Sequence, residues 1–290
     1  MRLQGLWVVA LVLAHAGAGW AAGATVTPAV YERLSKAQDL IGAEKYSQAI
    51  DTLKDLEERY RLTPYERALV LQSHGFAQSG MGNYDAAIEY FKKAIAMKAL
   101  PDAAVADARY NLGQLYFAGE KYDEAIAILT QWLGGVKNPT PHAFYMLGAA
   151  SMQKKKYETA LGYARKAAAG EDAREAYLQL LAALQYELKQ YAGAAQTLER
   201  LVSRFPKKAY WLQLAAIYAE LGEETKALGV MQIAHEQHLL TEGRELINLA
   251  RLTFQQGVPY KAAQIVEKAM ADGVLKRDLE SLTLLANAWM

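Results

Sequence analysis

Cysteine is missing from this chain altogether, and that absence removes several kinds of protein at once. No disulfide framework, thiolate metal site or cysteine nucleophile is available. A bacterial lipid anchor, which needs a cysteine, goes with them. Glycine (21) and proline (7) are too few for a β protein built on many tight turns. Neither charge sign predominates, since 32 Lys and Arg face 31 Asp and Glu with no long block of either. A nucleic-acid binder gathers its cations on one face because phosphate contacts dominate its affinity, and no such stripe is present. What is abundant are Ala, Leu, Glu, Lys and Gln, the strong helix formers, in a chain that is 52% hydrophobic and 22% charged. That composition folds, and it predicts an all-α protein.

Long hydrophobic runs are equally scarce. The strongest, Leu6 to Ala14, follows Arg2, the sole charged residue before Glu32, and leads through small residues to Ala22-Gly23-Ala24. These are the three regions of a secretory signal peptide with an A-x-A cleavage site, assigned to residues 1–24. The run is far short of the ~20 residues of a spanning helix, and Gly17 and Gly19 lie behind it. Cleavage before Thr25 takes away one basic and no acidic residue, so the mature chain is expected to be neutral. The expectation is a soluble periplasmic protein with no transmembrane span after cleavage.

Residues 25–290 carry a repeat. The phrase Tyr-x-x-Ala recurs at Tyr46–Ala49, Tyr84–Ala87, Tyr122–Ala125, Tyr157–Ala160 and Tyr191–Ala194, and Ala227 and Ala262 continue the series. The steps between these alanines are 38, 38, 35, 34, 33 and 35 residues. Twelve residues upstream of each stands a small residue: Ala37, Gly75, Gly113, Gly148, Ala182, Ala215 and Ala250. Small residues let two helices approach closely where they cross. A large apolar residue one turn beyond the alanine (Leu53, Phe91, Leu129, Leu198, Met231) suits the seam between neighbouring pairs. Gly82-Asn83, Gly119-Glu120 and Gly222-Glu223 read as stops between first and second helices. Pro64, Pro101 and Pro141 precede or open first helices.

Trp211-x-x-Leu214-Ala215-x-x-Tyr218 with Ala227 resembles the tetratricopeptide repeat (TPR) signature, as do Phe91 and Ala94 after Ala87, and Pro206 matches its closing proline. The resemblance implies a right-handed superhelical solenoid of about seven helix pairs. Leu285-Ala286 and Trp289 belong to a leftover first helix, so the array of residues 25–290 is expected to be truncated at its C-terminal end. More narrowly, the stretches 207–215, 236–241 and 256–263 resemble the periplasmic TPR protein associated with TonB–ExbB–ExbD systems. That resemblance implies TonB-dependent uptake of iron chelates.

Catalytic motifs are wanting: there is no nucleophile elbow, no phosphate-binding GxxxxGK[ST] and no HExxH. His235 and His238 lack a third metal ligand, His74 occupies a core-facing slot, and Glu57-Glu58 and Glu223-Glu224 read as surface charge. The chain is read as non-enzymatic, without cofactor, metal, nucleic acid or small-molecule substrate. By analogy with the family, the binding groove lies one, four, eight and eleven residues after each repeat start. Those positions give Gln72 and Phe76; Tyr110, Gln114 and Phe117; Tyr145 and Met152; Gln179 and Tyr186. This groove is aromatic and amide-rich, and it lacks the Lys/Asn/Arg clamp with which chaperone-binding relatives grip a C-terminal carboxylate. The functional expectation is a periplasmic protein–protein interaction scaffold serving TonB-dependent energy transduction and iron transport. The alternative is an assembly factor for cell-envelope polymers or outer-membrane proteins.

Overall fold

The computed structural model describes residues 25–290; the signal-peptide assignment falls on 1–24 and lies outside the described residues. Among the described residues there are fifteen α-helices and no strand. The chain divides into two compact units, up to Lys154 and from Lys155. The first holds α1 (Pro28–Gly42), α2 (Tyr46–Arg59), α3 (Pro64–Gly80), α4 (Tyr84–Ala96), α5 (Asp102–Ala118), α6 (Tyr122–Leu133) and α7 (Pro141–Gln153). The second holds α8 (Tyr157–Ala167), α9 (Glu175–Glu187), α10 (Tyr191–Arg204), α11 (Lys208–Glu220), α12 (Glu224–Glu236), α13 (Gly243–Gln255), α14 (Pro259–Ala271) and α15 (Leu279–Trp289). Within each unit a helix packs on its successor, as α3 does on α4, α5 on α6 and α13 on α14. The extra helix α15 docks on α14. None of these helices is long and apolar enough to cross a membrane.

The repeated small residues do what their spacing predicts. A Cβ placed on Gly113 would lie 2.5 Å from Leu129 Cδ2, and one on Gly75 would lie 2.7 Å from the Phe91 ring. The first helix therefore meets the second at van der Waals distance only because the side chain is absent. The repeated alanines 49, 87, 125, 160, 194, 227 and 262 are all buried, as are Leu53, Phe91, Leu129, Leu198 and Met231.

The turns differ from the sequence expectation in one respect. Each turn between first and second helix places one residue in the left-handed region, five positions before the repeated alanine: Glu44, Gly82, Glu120, Lys155, Lys189, Gly222 and Gly257. At Gly119-Glu120 the left-handed residue is thus Glu120 (φ 58°), while Gly119 stays at φ −84°. The pattern of hydrogen bonds explains the conformation. Lys121 N donates to Tyr116 O (2.8 Å) and Glu120 N to Phe117 O (3.1 Å), which satisfies carbonyls the helix leaves unpaired. Four of the seven positions hold Glu or Lys, so the carbonyl capping outweighs the steric cost of a Cβ there.

Buried carboxylates tie the starts of first helices together. Glu66, 1% exposed, accepts from Thr63 N (2.8 Å) in a capping box and also from Thr27 N (2.8 Å) and Thr27 Oγ1 (2.9 Å) at the start of α1. In the second unit Glu245 accepts from Thr241 N (2.9 Å) and Glu242 N (3.0 Å) and pairs with Lys208 (2.9 Å) at the start of α11. His74 is buried as its slot predicts, stacked 5.0 Å from Tyr90, with Nε2 3.2 Å from Glu57. Glu57 is therefore a partner for a core imidazole rather than free surface charge.

Candidate functional site

The side chains singled out for the groove fall on α3, α5 and α7 in the first unit and on α9 in the second. On α5, Tyr110, Gln114 and Phe117 follow each other at spacings of four and three residues, which puts them on one face. All three are half-buried. The Tyr110 ring leans on Trp132 at 4.8 Å, and its hydroxyl lies 3.3 Å from Thr140 Oγ1. Phe117 meets Tyr122 edge-on at 6.1 Å and Tyr145 of α7 at 6.5 Å. Tyr145 is itself stacked 5.9 Å from His142, and burial pushes its hydroxyl above the ordinary tyrosine value. Met152 sits half-buried two turns along α7. The Phe117–Tyr145 contact joins α5 to α7 in one aromatic surface.

Phe76 and Gln72 on α3 differ in setting. Phe76 turns edge-on to Phe91 at 5.0 Å and packs against two apolar clusters, one around Phe91 and one around Ile41, so part of its ring is core. Gln72 is 8% exposed. In the second unit Tyr186 is 54% exposed and lies 5.8 Å from Tyr191. Gln179 donates its amide to the Tyr210 hydroxyl, which donates in turn to Glu175. Burial and the Glu175 carboxylate push Tyr210 up to about 12. The Gln179 amide is thereby committed inside the fold.

Asp107 and His142 share the same register, as do the less distinctive Leu69, Ser79 and Ala149. The rule that selects Tyr110, Gln114 and Phe117 also selects Asp107, one position after the repeat start, and on α7 it selects His142. Asp107 keeps contact with water, yet its surroundings thin its solvation enough to raise its carboxyl above the ordinary value. No hydrogen bond or charge contributes to that shift. An acidic residue in an aromatic face carries no sequence motif, so only its register signals it.

Comparisons agree with this architecture. Two tetratricopeptide repeat family models match, at residues 75–140 and 175–208. No curated protein matches the sequence. Among solved structures, a TPR protein from Parabacteroides merdae is 17% identical, with 91% of this chain and 100% of that one covered at a TM-score of 0.54. The C-terminal part of a TPR protein from Cytophaga hutchinsonii is 16% identical, with 87% and 99% covered at 0.65. YrrB, described as a TPR protein with an unusual peptide-binding site, is 20% identical, with 63% and 90% covered at 0.51. The chain carries tetratricopeptide repeats, and its fold is an all-α TPR solenoid.

Proposed function

We propose that this protein is a protein–protein interaction scaffold whose first unit holds a partner polypeptide on the face formed by α5 and α7. The observation that carries this reading is the half-buried aromatic surface of Tyr110, Phe117 and Tyr145, with Gln114 set among the rings. Aromatic rings supply large contact area at low entropic cost, and amides between them suit a polypeptide backbone. The description of YrrB as peptide-binding supports the same class of ligand.

The finer reading places the scaffold in the periplasm, beside a TonB–ExbB–ExbD complex. It rests on the signal-peptide pattern of residues 1–24 and on the phrases at 207–215, 236–241 and 256–263. The test is crosslinking capture from periplasm, with the native chain compared against Phe117→Ala combined with Tyr145→Ala. Under this proposal TonB-complex components are captured by the native chain and lost with the double variant, iron-chelate uptake falls, and the melting temperature moves by no more than a few degrees. Capture of outer-membrane assembly proteins instead would favour the alternative role. A large fall in melting temperature would show that these rings are core and sink the assignment of the face.

A further inference from the structure

We infer that the seam between the first two helix pairs is an acid-sensitive joint, in which protonation of His74 lets the α1–α2 pair part from α3 while the rest of the first unit stays closed. The inference is independent of the aromatic face on α5 and α7.

His74 occupies a slot that the next five copies fill with leucine. The residue just before the small residue of the crossing is Leu112, Leu147, Leu181, Leu214 and Leu249 in those copies, and His74 before Gly75. It is 2% exposed, as deeply buried as those leucines. Its Nε2 lies 3.2 Å from Glu57 of α2, whereas Nδ1 is buried with no hydrogen-bond partner. A carboxylate accepts, so the neutral ring carries its hydrogen on Nε2 and leaves Nδ1 a bare acceptor. Protonation puts a donor without an acceptor, and half of a charge, at that same buried atom.

The surrounding groups do not rescue the cation. From α2, Glu57 attracts it and Lys54 repels it. From α4, Tyr90 stacks on the ring at 5.0 Å, and that phenol already carries Lys93, whose ammonium lies 5.9 Å from the ring centre. No charge on α1, the third helix packed on α3, acts on it. Burial foremost, with Lys54, holds the imidazole below its ordinary value against the pull of Glu57. In water the charge is solvated and both nitrogens find acceptors. Acid therefore favours whichever opening brings His74 to water.

Packing decides which side opens. On the α4 side the next residue is Gly75, whose missing Cβ lets the Phe91 ring come within 2.7 Å of where that atom would stand. Phe91 is 1% exposed and meets Phe76 edge-on at 5.0 Å, which locks α3 to α4. On the α2 side the polar link is Glu57, whose side chain is 39% exposed and already reaches water. Parting there splits the cluster that joins Leu34, Leu53 and Leu56 to Leu69 and Val70. Nearest-neighbour packing confines the disturbance to that seam.

The test is amide hydrogen exchange on the purified chain at pH 7.5 and pH 5.0, corrected for the intrinsic pH dependence of exchange. A folded value below the unfolded one means protection that is full above about pH 6.5 and lost as pH falls towards the folded value. The opening constant can then rise by up to about thirtyfold between the two conditions. Glu66, whose bonds to Thr27 also join α1 to α3, loses its contribution only below about pH 4.3, so pH 5.0 isolates His74. Protection in α2 and in the turns of α3 around His74 should fall roughly tenfold or more, with α6 and α7 unchanged. His74→Leu, which installs the residue of the later copies, should abolish the difference. A magnetic resonance titration of the ring needs no variant: His74 should be largely neutral in the folded chain at pH 6.0. Equal protection of α2 at the two pH values, a uniform loss across the unit, the same response in His74→Leu, or a ring already protonated at pH 6.5 would each overturn the inference.

Discussion

Single residues set the terms on which helices meet and turn. Gly113 faces Leu129 at a distance that leaves no room for a side chain, so Gly113→Leu should lower stability by about 1–3 kcal/mol through overpacking. Chemical denaturation of the purified variant measures the loss. The left-handed turn residues predict the opposite sign. Lys189 adopts φ 54°, a conformation that costs an L residue roughly 1–2 kcal/mol, while glycine costs roughly 0.5–1 kcal/mol in chain entropy. Lys189→Gly should therefore raise stability slightly, by up to about 1 kcal/mol, and a lowered denaturation midpoint would contradict the account of the turn. Acid sensitivity has an address too. Burial pushes the Glu66 carboxyl up, but its hydrogen bonds from Thr27 and Thr63 outweigh this and hold it below the ordinary value. A folded value below the unfolded one means stability that is present above about pH 4.3 and lost as pH falls through the folded value. Glu66→Gln should be less stable than the native chain at neutral pH and converge with it in acid, as paired melts at pH 7 and pH 3 would record. His74, pushed down chiefly by burial and further by Lys54 against the upward pull of Glu57, favours its neutral form. Its contribution is present above about pH 6.5 and lost as pH falls towards the folded value.

At the scale of the helix, the sequence was legible wherever a pattern repeats. The alanine series located every second helix, and the small residues upstream located the crossings. What it hid was how the longer steps are absorbed. The steps of 38 residues at the start of the chain exceed the later ones by about four, and α3 and α5 each run 17 residues where α7, α9, α11 and α13 run 13. Four residues are close to one turn of helix, so the added length leaves the face of the helix unchanged. Both extensions lie before the repeat start, where spacing counted from the small residue cannot see them. The shared helix face was legible in register, but the partners its side chains take up were not. Gln179 looked like Gln114 until the hydroxyl of Tyr210, thirty-one residues away, took its amide. Asp107 shared the register with Tyr110, but its lack of a counter-charge is a property of the packed neighbours. Because helix pairs are held mainly by nearest neighbours, the disturbance from Gly113→Leu should be local. Amide exchange should quicken in α4, α5 and α6 and change least in α1; uniform loss of protection would refute nearest-neighbour coupling.

For the whole molecule, the N-terminal pattern makes an export prediction. Expressed in a Gram-negative host, the chain should be recovered from soluble periplasm beginning near Thr25; recovery with Met1 in place on membranes would sink it. The unequal lengths of the first helices carry a further consequence. Arrays of similar modules are prone to misassembly, in which one module docks on the wrong neighbour during folding. Here α3 and α5 are each a turn longer than α7, so an exchange of partners between the early and late copies would leave a turn unsupported or a cap such as the Glu66–Thr63 box unmade. The extra turns act as a length key that makes the order of assembly part of the sequence. Trimming four residues from the start of α5 should then show itself first as slower, more aggregation-prone refolding, even where the final fold is regained.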